Sequence, residues 1–157
     1  MTKSAADVFK LIKDSNAKFV DLKFMDFIGT WQHFQITSHF LDESSFEDGV
    51  AFDGSSIRAW QGIESSDMAV VPDPTTAKID AFFEEVTLSL ICDIRDPITG
   101  QDYTRDPRNI GRKALAYLNS TGIADTAYFG PESEFFLFDS VNYDTSSAGG
   151  YYFIESS

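Results

Sequence analysis

The chain has 157 residues, 43% of them apolar and fifteen of them Phe, enough to build one packed core and too apolar for a disordered polypeptide. Twenty-five acidic residues against twelve basic ones leave a net charge of −13, which repels a nucleic-acid backbone and an anionic membrane surface and argues against both as partners. Cys92 is the single cysteine, so no internal disulfide can form, and a reducing cytoplasm is the expected location.

Ser4 followed by Asp7 is an N-cap with an acid in the first turn, and Val8, Leu11 and Ile12 fall on one helical face. The pattern predicts a short amphipathic helix to about Asn16, and this helical start is not that of a signal sequence. No apolar stretch approaches the ~20 residues of a membrane span.

From Phe19 to Met25 the sequence alternates, with Val20, Leu22 and Phe24 on one side and Asp21 and Lys23 on the other. Asp26-Phe27-Ile28-Gly29 is a turn, and 30–37 returns as the second strand of a hairpin. His33 in that strand and His39 beyond it have no His or Cys partner at ligand spacing, and both read as packed or surface histidines.

Residues 40–50 read as loop or a short helical turn, and Asp53-Gly54-Ser55-Ser56 as turn chemistry, because Gly54 relaxes the backbone while Asp53 and the serines bond their own main chain. Val70-Val71-Pro72-Asp73-Pro74 reads as a rigid extended connector. Residues 77–80 form a short strand. Thr87 to Asp93 form a stronger one, apolar on both faces like a buried central strand, with Cys92 as a core residue. Asp96-Pro97-Ile98-Thr99-Gly100 is a turn.

Asp106-Pro107 pairs an N-cap with Pro at the first helical position; Ile110, Ala114, Tyr117 and Leu118 then recur at helical spacing, and Gly122 stops the helix. The chain next enters Phe129-Gly130-Pro131-Glu132-Ser133-Glu134-Phe135-Phe136-Leu137-Phe138. As a strand, this run places Glu132, Glu134, Phe136 and Phe138 on one face and Ser133, Phe135 and Leu137 on the other. Two carboxylates roughly 7 Å apart beside aromatic rings repel each other. Either they form the wet face of a half-exposed strand, or divalent cations compensate them, in which case hard oxygen donors suit Mg²⁺ or Mn²⁺. A hydrolase with its two carboxylates facing across a cleft does not suit a pair sharing one strand face. Residues 139–150, rich in Ser, Asn, Asp and Gly, read as a mobile loop, and Tyr151 to Ile154 as a final apolar strand.

Two of these segments together are similar to the signature of class I, bacterial-type glutamine synthetases. One is Phe52-Asp53-Gly54-Ser55-Ser56, a spacer containing Trp60, and Glu64-Ser65-Ser66-Asp67-Met68; the other is the acidic run, where that family often has Pro or Ala at the position of Ser133. The likeness extends over almost the whole chain, through Arg105-Asp106-Pro107-Arg108. It implies an α+β fold, with a β-grasp domain over 1–104 followed by the first helix and strands of a catalytic domain over 105–157. It implies an ATP-dependent glutamate–ammonia ligase working through γ-glutamyl phosphate, with ATP, glutamate and ammonium as substrates. Glu132 and Glu134 would each serve one of two Mg²⁺ or Mn²⁺ sites whose other ligands are not among these residues. Asp53 would reach a neighbouring subunit's site, bind ammonium there and deprotonate it, which requires a ring of identical subunits, a dodecamer by likeness. The 157 residues alone would be inactive. The competing expectation is a non-catalytic β-grasp module that binds or regulates such subunits.

Overall fold

The computed structural model describes residues 4–63 and 66–156. Within them the chain forms two compact units, the first extending to Thr126 and the second beginning at Ala127.

The first helix, α1 (Ala5–Ser15), starts at a reciprocal cap in which the Ser4 hydroxyl accepts from the Asp7 amide and the Asp7 carboxylate accepts from the Ser4 amide. It ends on Asn16 in the left-handed conformation, a residue whose short polar side chain tolerates positive φ. Strands β1 (Phe19–Met25) and β2 (Trp31–Thr37) form the expected hairpin. A short helix, α2 (Glu43–Glu47), capped by Asp42, leads to β3 (Val50–Asp53). Strands β4 (Asp67–Pro72), β5 (Lys78–Asp80) and β6 (Thr87–Arg95) complete a six-stranded sheet in the order β2-β1-β6-β4-β3, with β5 also on β6.

β6 is the axis of that sheet. Its first half pairs in parallel with β1 and antiparallel with β5, and its second half pairs antiparallel with β4. Thr87, Leu88, Ser89, Leu90, Cys92 and Ile94 are all buried, while Ile91, Asp93 and Arg95 on the face opposite Leu90 are only partly so. Val8 of α1, Val20, Leu22 and Phe24 of β1, and Met68 and Val70 of β4 join the same core. Burial pushes the Cys92 thiol pKa far up, so it behaves as a small apolar side chain.

The sequence expectations meet three corrections here. Val70 to Pro72 is buried strand rather than connector, because the extended bias before each Pro suits a strand as well as a link, and Pro72 sits at the strand's last position. β3 is a strand where none was expected, and the turn expected at 53–56 begins at Gly54, in a 3₁₀ segment over Gly54–Ser56. Asp21, expected on a polar face, is fully buried, with the side chains of His33 and Lys23 against its carboxylate.

Helix α3 (Pro107–Thr121) is capped by Asp106 and closed by Gly122 in the left-handed region, as its sequence requires. It belongs to the first unit. Asp106 is buried; its carboxylate accepts from the Ile94 amide of β6 at 3.1 Å and from the Arg108 amide at 2.9 Å. Burial raises its pKa, and those two hydrogen bonds oppose the rise only in part. Asn109, also buried, donates to the Tyr103 carbonyl at 2.8 Å.

The second unit departs further from expectation. Residues 129–138 carry no strand ladder and are exposed throughout, because a strand exists only where a partner accepts its hydrogen bonds and no described segment does so. The predicted mobile loop is instead a hairpin, β7 (Ser140–Ser146) against β8 (Gly149–Glu155). Its Ser and Gly residues supply the tight turn, and Val141 and Tyr143 supply strand-forming side chains.

Leu90 is fully buried in β6. We expect Leu90→Ala to lower unfolding stability by about 2–5 kcal/mol, read by chemical denaturation; a loss under about 1 kcal/mol would show that β6 is not the packed centre.

Candidate functional site

Asp53 ends β3 and stands exposed at the start of the 3₁₀ segment it caps. Its Oδ1 accepts from the Ser55 amide at 2.8 Å and from the Ser55 hydroxyl at 2.6 Å. The Ser55 hydroxyl, then its amide, hold the Asp53 pKa below the usual carboxylate value. The result is a fixed anion on the surface, with Oδ2 left available to a cation.

The backbone beneath it is tightly seated. A Cβ on Gly54 would stand 2.7 Å from Met68 Cγ, so no larger residue fits without moving the buried Met68. The Gly54 amide donates to the Ser66 carbonyl at 2.6 Å, tying the turn to the approach to β4. Glu64 and Ser65 of the second motif lie outside the described residues.

Six residues beyond the turn, Trp60 is buried in an aromatic cluster, its ring centroid 5.5 Å from Phe24, 5.2 Å from Tyr103 and 6.3 Å from Phe52. Arg105 Nη1 donates to the carbonyls of Ala59 at 2.6 Å and Trp60 at 2.8 Å. Sequence reading passed over this arginine as a functional candidate. Its only signal was membership of the Arg-Asp-Pro-Arg run, which identifies a helix start and not a contact 45 residues away.

Glu132 and Glu134 belong to the second unit and are both exposed. The rings of Phe136 and Phe138 stack with centroids 5.9 Å apart and planes at 12°, so alternate residues share a side at the end of this run. Among the described residues no group of three or more His, Cys, Asp or Glu is placed to hold a metal ion. The donor chemistry of the two glutamates suits a hard divalent cation, while a six-coordinate shell needs more oxygens than they carry.

A concavity of about 470 Å³ lies elsewhere in the first unit, lined by Asp21, Lys23, Trp31, His33, Asp80 and Phe83 among others. His33 Nδ1 lies 2.8 Å from Asp21 Oδ1, and Lys23 Nζ lies 2.7 Å from Asp80 Oδ2 and 3.4 Å from Asp21 Oδ2. Burial alone would lower the Lys23 pKa; the Asp80 and Asp21 carboxylates outweigh it and raise the value. Lys23 is shared between the two carboxylates, and His33 is accounted for as a hydrogen-bond partner of a buried acid.

The family model described as "Glutamine synthetase, beta-Grasp domain" matches residues 16–97, and that described as "Glutamine synthetase, catalytic domain" matches residues 104–157. A glutamine synthetase of Microchaete diplosiphon is 56% identical over 150 residues, covering 96% of this chain and 32% of that protein. A 3-hydroxylaminophenol mutase of Cupriavidus pinatubonensis is 55% identical over 150 residues, covering 95% and 32%. The cryo-EM structure of Plasmodium falciparum glutamine synthetase superposes with a TM-score of 0.72 at 25% identity, covering 99% of this chain and 31% of that one. The chain thus spans about a third of the length of the curated relatives it matches.

Removing the hydroxyl that bonds Asp53 separates its cause from its effect. Ser55→Ala deletes the 2.6 Å hydrogen bond to the anion, so the Asp53 pKa should rise toward the ordinary carboxylate value, measured by NMR titration. An unchanged titration would show that the hydroxyl does not set it.

Proposed function

The chain belongs to the glutamine synthetase family, and we propose that it supplies the amino-terminal region of an ATP-dependent glutamate–ammonia ligase. The observation that carries this reading is the fixed surface carboxylate of Asp53, held at a strand end by Ser55 and by a glycine that only Met68's packing explains. Family likeness supplies the division into a β-grasp region over 1–104 and the opening of a catalytic region over 105–157.

In this reading glutamate's side-chain carboxylate is activated as γ-glutamyl phosphate, and ammonia displaces the phosphate. Asp53 binds ammonium in the site of the adjacent subunit and takes its proton, because an anion both attracts NH₄⁺ and provides a base within reach. The Ser55 hydroxyl and amide that lower its pKa also fix the carboxylate in place for the cation.

Glu132 and Glu134 would each hold one of two divalent cations, Mg²⁺ or Mn²⁺, with ligands from elsewhere in the full-length protein. Such ions polarise phosphoryl oxygen and neutralise charge during transfer. The glutamates' part is to place two anionic oxygens two residues apart on one short segment, so that the sites are adjacent. Because Asp53 acts on a neighbour, the active form is a ring of identical subunits. No described helix is long and apolar enough to cross a membrane. With Cys92 buried and reduced, a cytoplasmic location fits the reading.

The 55% identity to a protein named as a mutase shows that likeness in this region accompanies more than one named activity. Assay of the full-length protein for glutamine formation from glutamate, ammonium and ATP therefore decides the reading; its absence, with isomerase activity in its place, would overturn it.

Two variants test the residue roles. Asp53→Ala in the full-length protein should raise the KM for ammonium by at least about tenfold and leave nucleotide binding nearly unchanged. Equal loss of both would count against its assigned role. Glu132→Gln and Glu134→Gln should each weaken Mn²⁺ binding about 10- to 100-fold in calorimetric titration, and unaltered affinity in either would remove that residue from the ligand set.

A further inference from the structure

We propose that Arg105 is a positioning residue for Asp53, clamping the loop that carries the acid to the junction between β6 and α3. The proposal rests on the reading of Asp53 above and extends it to a residue that touches no reactant.

Asp53 is at the end of an edge strand, since among the described residues β3 pairs only with β4. Such a strand has hydrogen-bond support on one side, so its exposed end depends on how the next loop is held. That loop is built from short-range bonds: the Ile57 amide donates to the Gly54 carbonyl at 3.1 Å and the Trp60 amide to the Ile57 carbonyl at 3.2 Å. These bonds shape the loop. The Gly54 amide on the Ser66 carbonyl and the buried Ile57 hold its near end, and its far end is attached where Trp60 enters the core and Arg105 grips two successive carbonyls.

Ala59 marks that point, because its φ of +67 lies in the left-handed region that a residue with a Cβ rarely adopts. The conformation turns the carbonyls of Ala59 and Trp60 toward one nitrogen, Arg105 Nη1, and the charged donor compensates the strain. An alanine in this conformation needs support from outside its own segment, and Arg105 is the charged group that provides it.

Arg105 is held in turn by its neighbours. Tyr103, two residues before it, packs on Trp60 and bonds through its amide to the Ile94 carbonyl at 2.8 Å. Asp106, immediately after it, is buried and bonded to the Ile94 amide. The segment 103–106 therefore packs the Trp60 ring, binds its carbonyl and is pinned on both sides to one residue of the central strand. A continuous set of contacts runs from Ile94 through Arg105 to Ala59 and Trp60, and by the turn at Gly54 to Asp53.

Steady-state kinetics of the full-length protein with each substrate varied tests this. Arg105→Met should raise the KM for ammonium about tenfold, the size expected for losing one net charge-assisted hydrogen bond, with the KM values for glutamate and ATP changed less than about twofold. Arg105→Lys, which keeps a cationic donor, should recover most of the loss. Amide hydrogen exchange should show residues 54–60 exchanging faster in Arg105→Met while β4 and β6 keep their protection. A general fall in stability with all three KM values shifting together would overturn the proposal, as would exchange at 54–60 identical to that of the parent protein. Failure of the parent reading is distinguishable. If Asp53→Ala leaves the ammonium KM unchanged, the role of the acid falls and the clamp's purpose with it; if Asp53→Ala has its effect and Arg105→Met has none, the clamp alone falls.

Discussion

The first unit depends on β6, which pairs with β1, β5 and β4 and turns Leu88, Leu90, Cys92 and Ile94 into one core. Its other face is more polar, with Ser89 and Ile91 lining the concavity beside Asp21 and Lys23. The parallel pairing of β1 with β6 is the non-local contact that closes the fold, since the two strands lie far apart along the chain. Once it forms, Val20, Leu22, Leu88 and Leu90 are enclosed together, and each fully buried aliphatic side chain contributes about 1.5–3 kcal/mol.

Polar groups then decide what is attached to that centre. Asp106 and Asn109 are buried and bonded to the backbone of β6 and of the segment before α3. At the surface Arg108 reaches Asp73 at 2.6 Å and Asp93 at 2.7 Å, while Arg112 reaches Asp93 at 2.7 Å and Asp102 at 3.2 Å. Single exposed pairs of this kind contribute little, but two arginines sharing one carboxylate form a network that fixes the helix start. For this reason α3 folds with the first unit, although its residues match the catalytic-region family model. Ile110 and Tyr117 of its apolar face remain exposed, so the attachment is made by its N-terminal turn and not by that face.

The same logic separates the candidate residues. Asp53 is presented by a framework that is complete around it: a capped turn, a glycine seated on Met68, and a buried tryptophan with an arginine clamp. Glu132 and Glu134 lie on an exposed segment without a strand partner, where donor chemistry is present but the surrounding ligands are not. Asp53 is positioned by contacts within the first unit, whereas Glu132 and Glu134 are exposed on a segment with no strand partner among the described residues.

Periodicity and capping alone determined α1, the first hairpin, β6 and α3, because Ser4, Asp106, Gly122 and the alternating run 19–25 act over three or four residues and need no distant partner. Asp53, Glu132 and Glu134 were singled out as candidates by two local motifs and their likeness to a known family, since spacing alone left Glu132 and Glu134 also readable as a wet strand face. What the sequence could not express is pairing. Whether 70–72 is a link or a buried strand, whether 129–138 is a strand at all, and why Asp21 is inside depend on which segments lie alongside, and that is a property of the sheet. Arg105 is the sharpest case, since a side chain that serves a loop 45 residues earlier leaves no local trace, and only the folded chain brings the guanidinium to the carbonyls it holds.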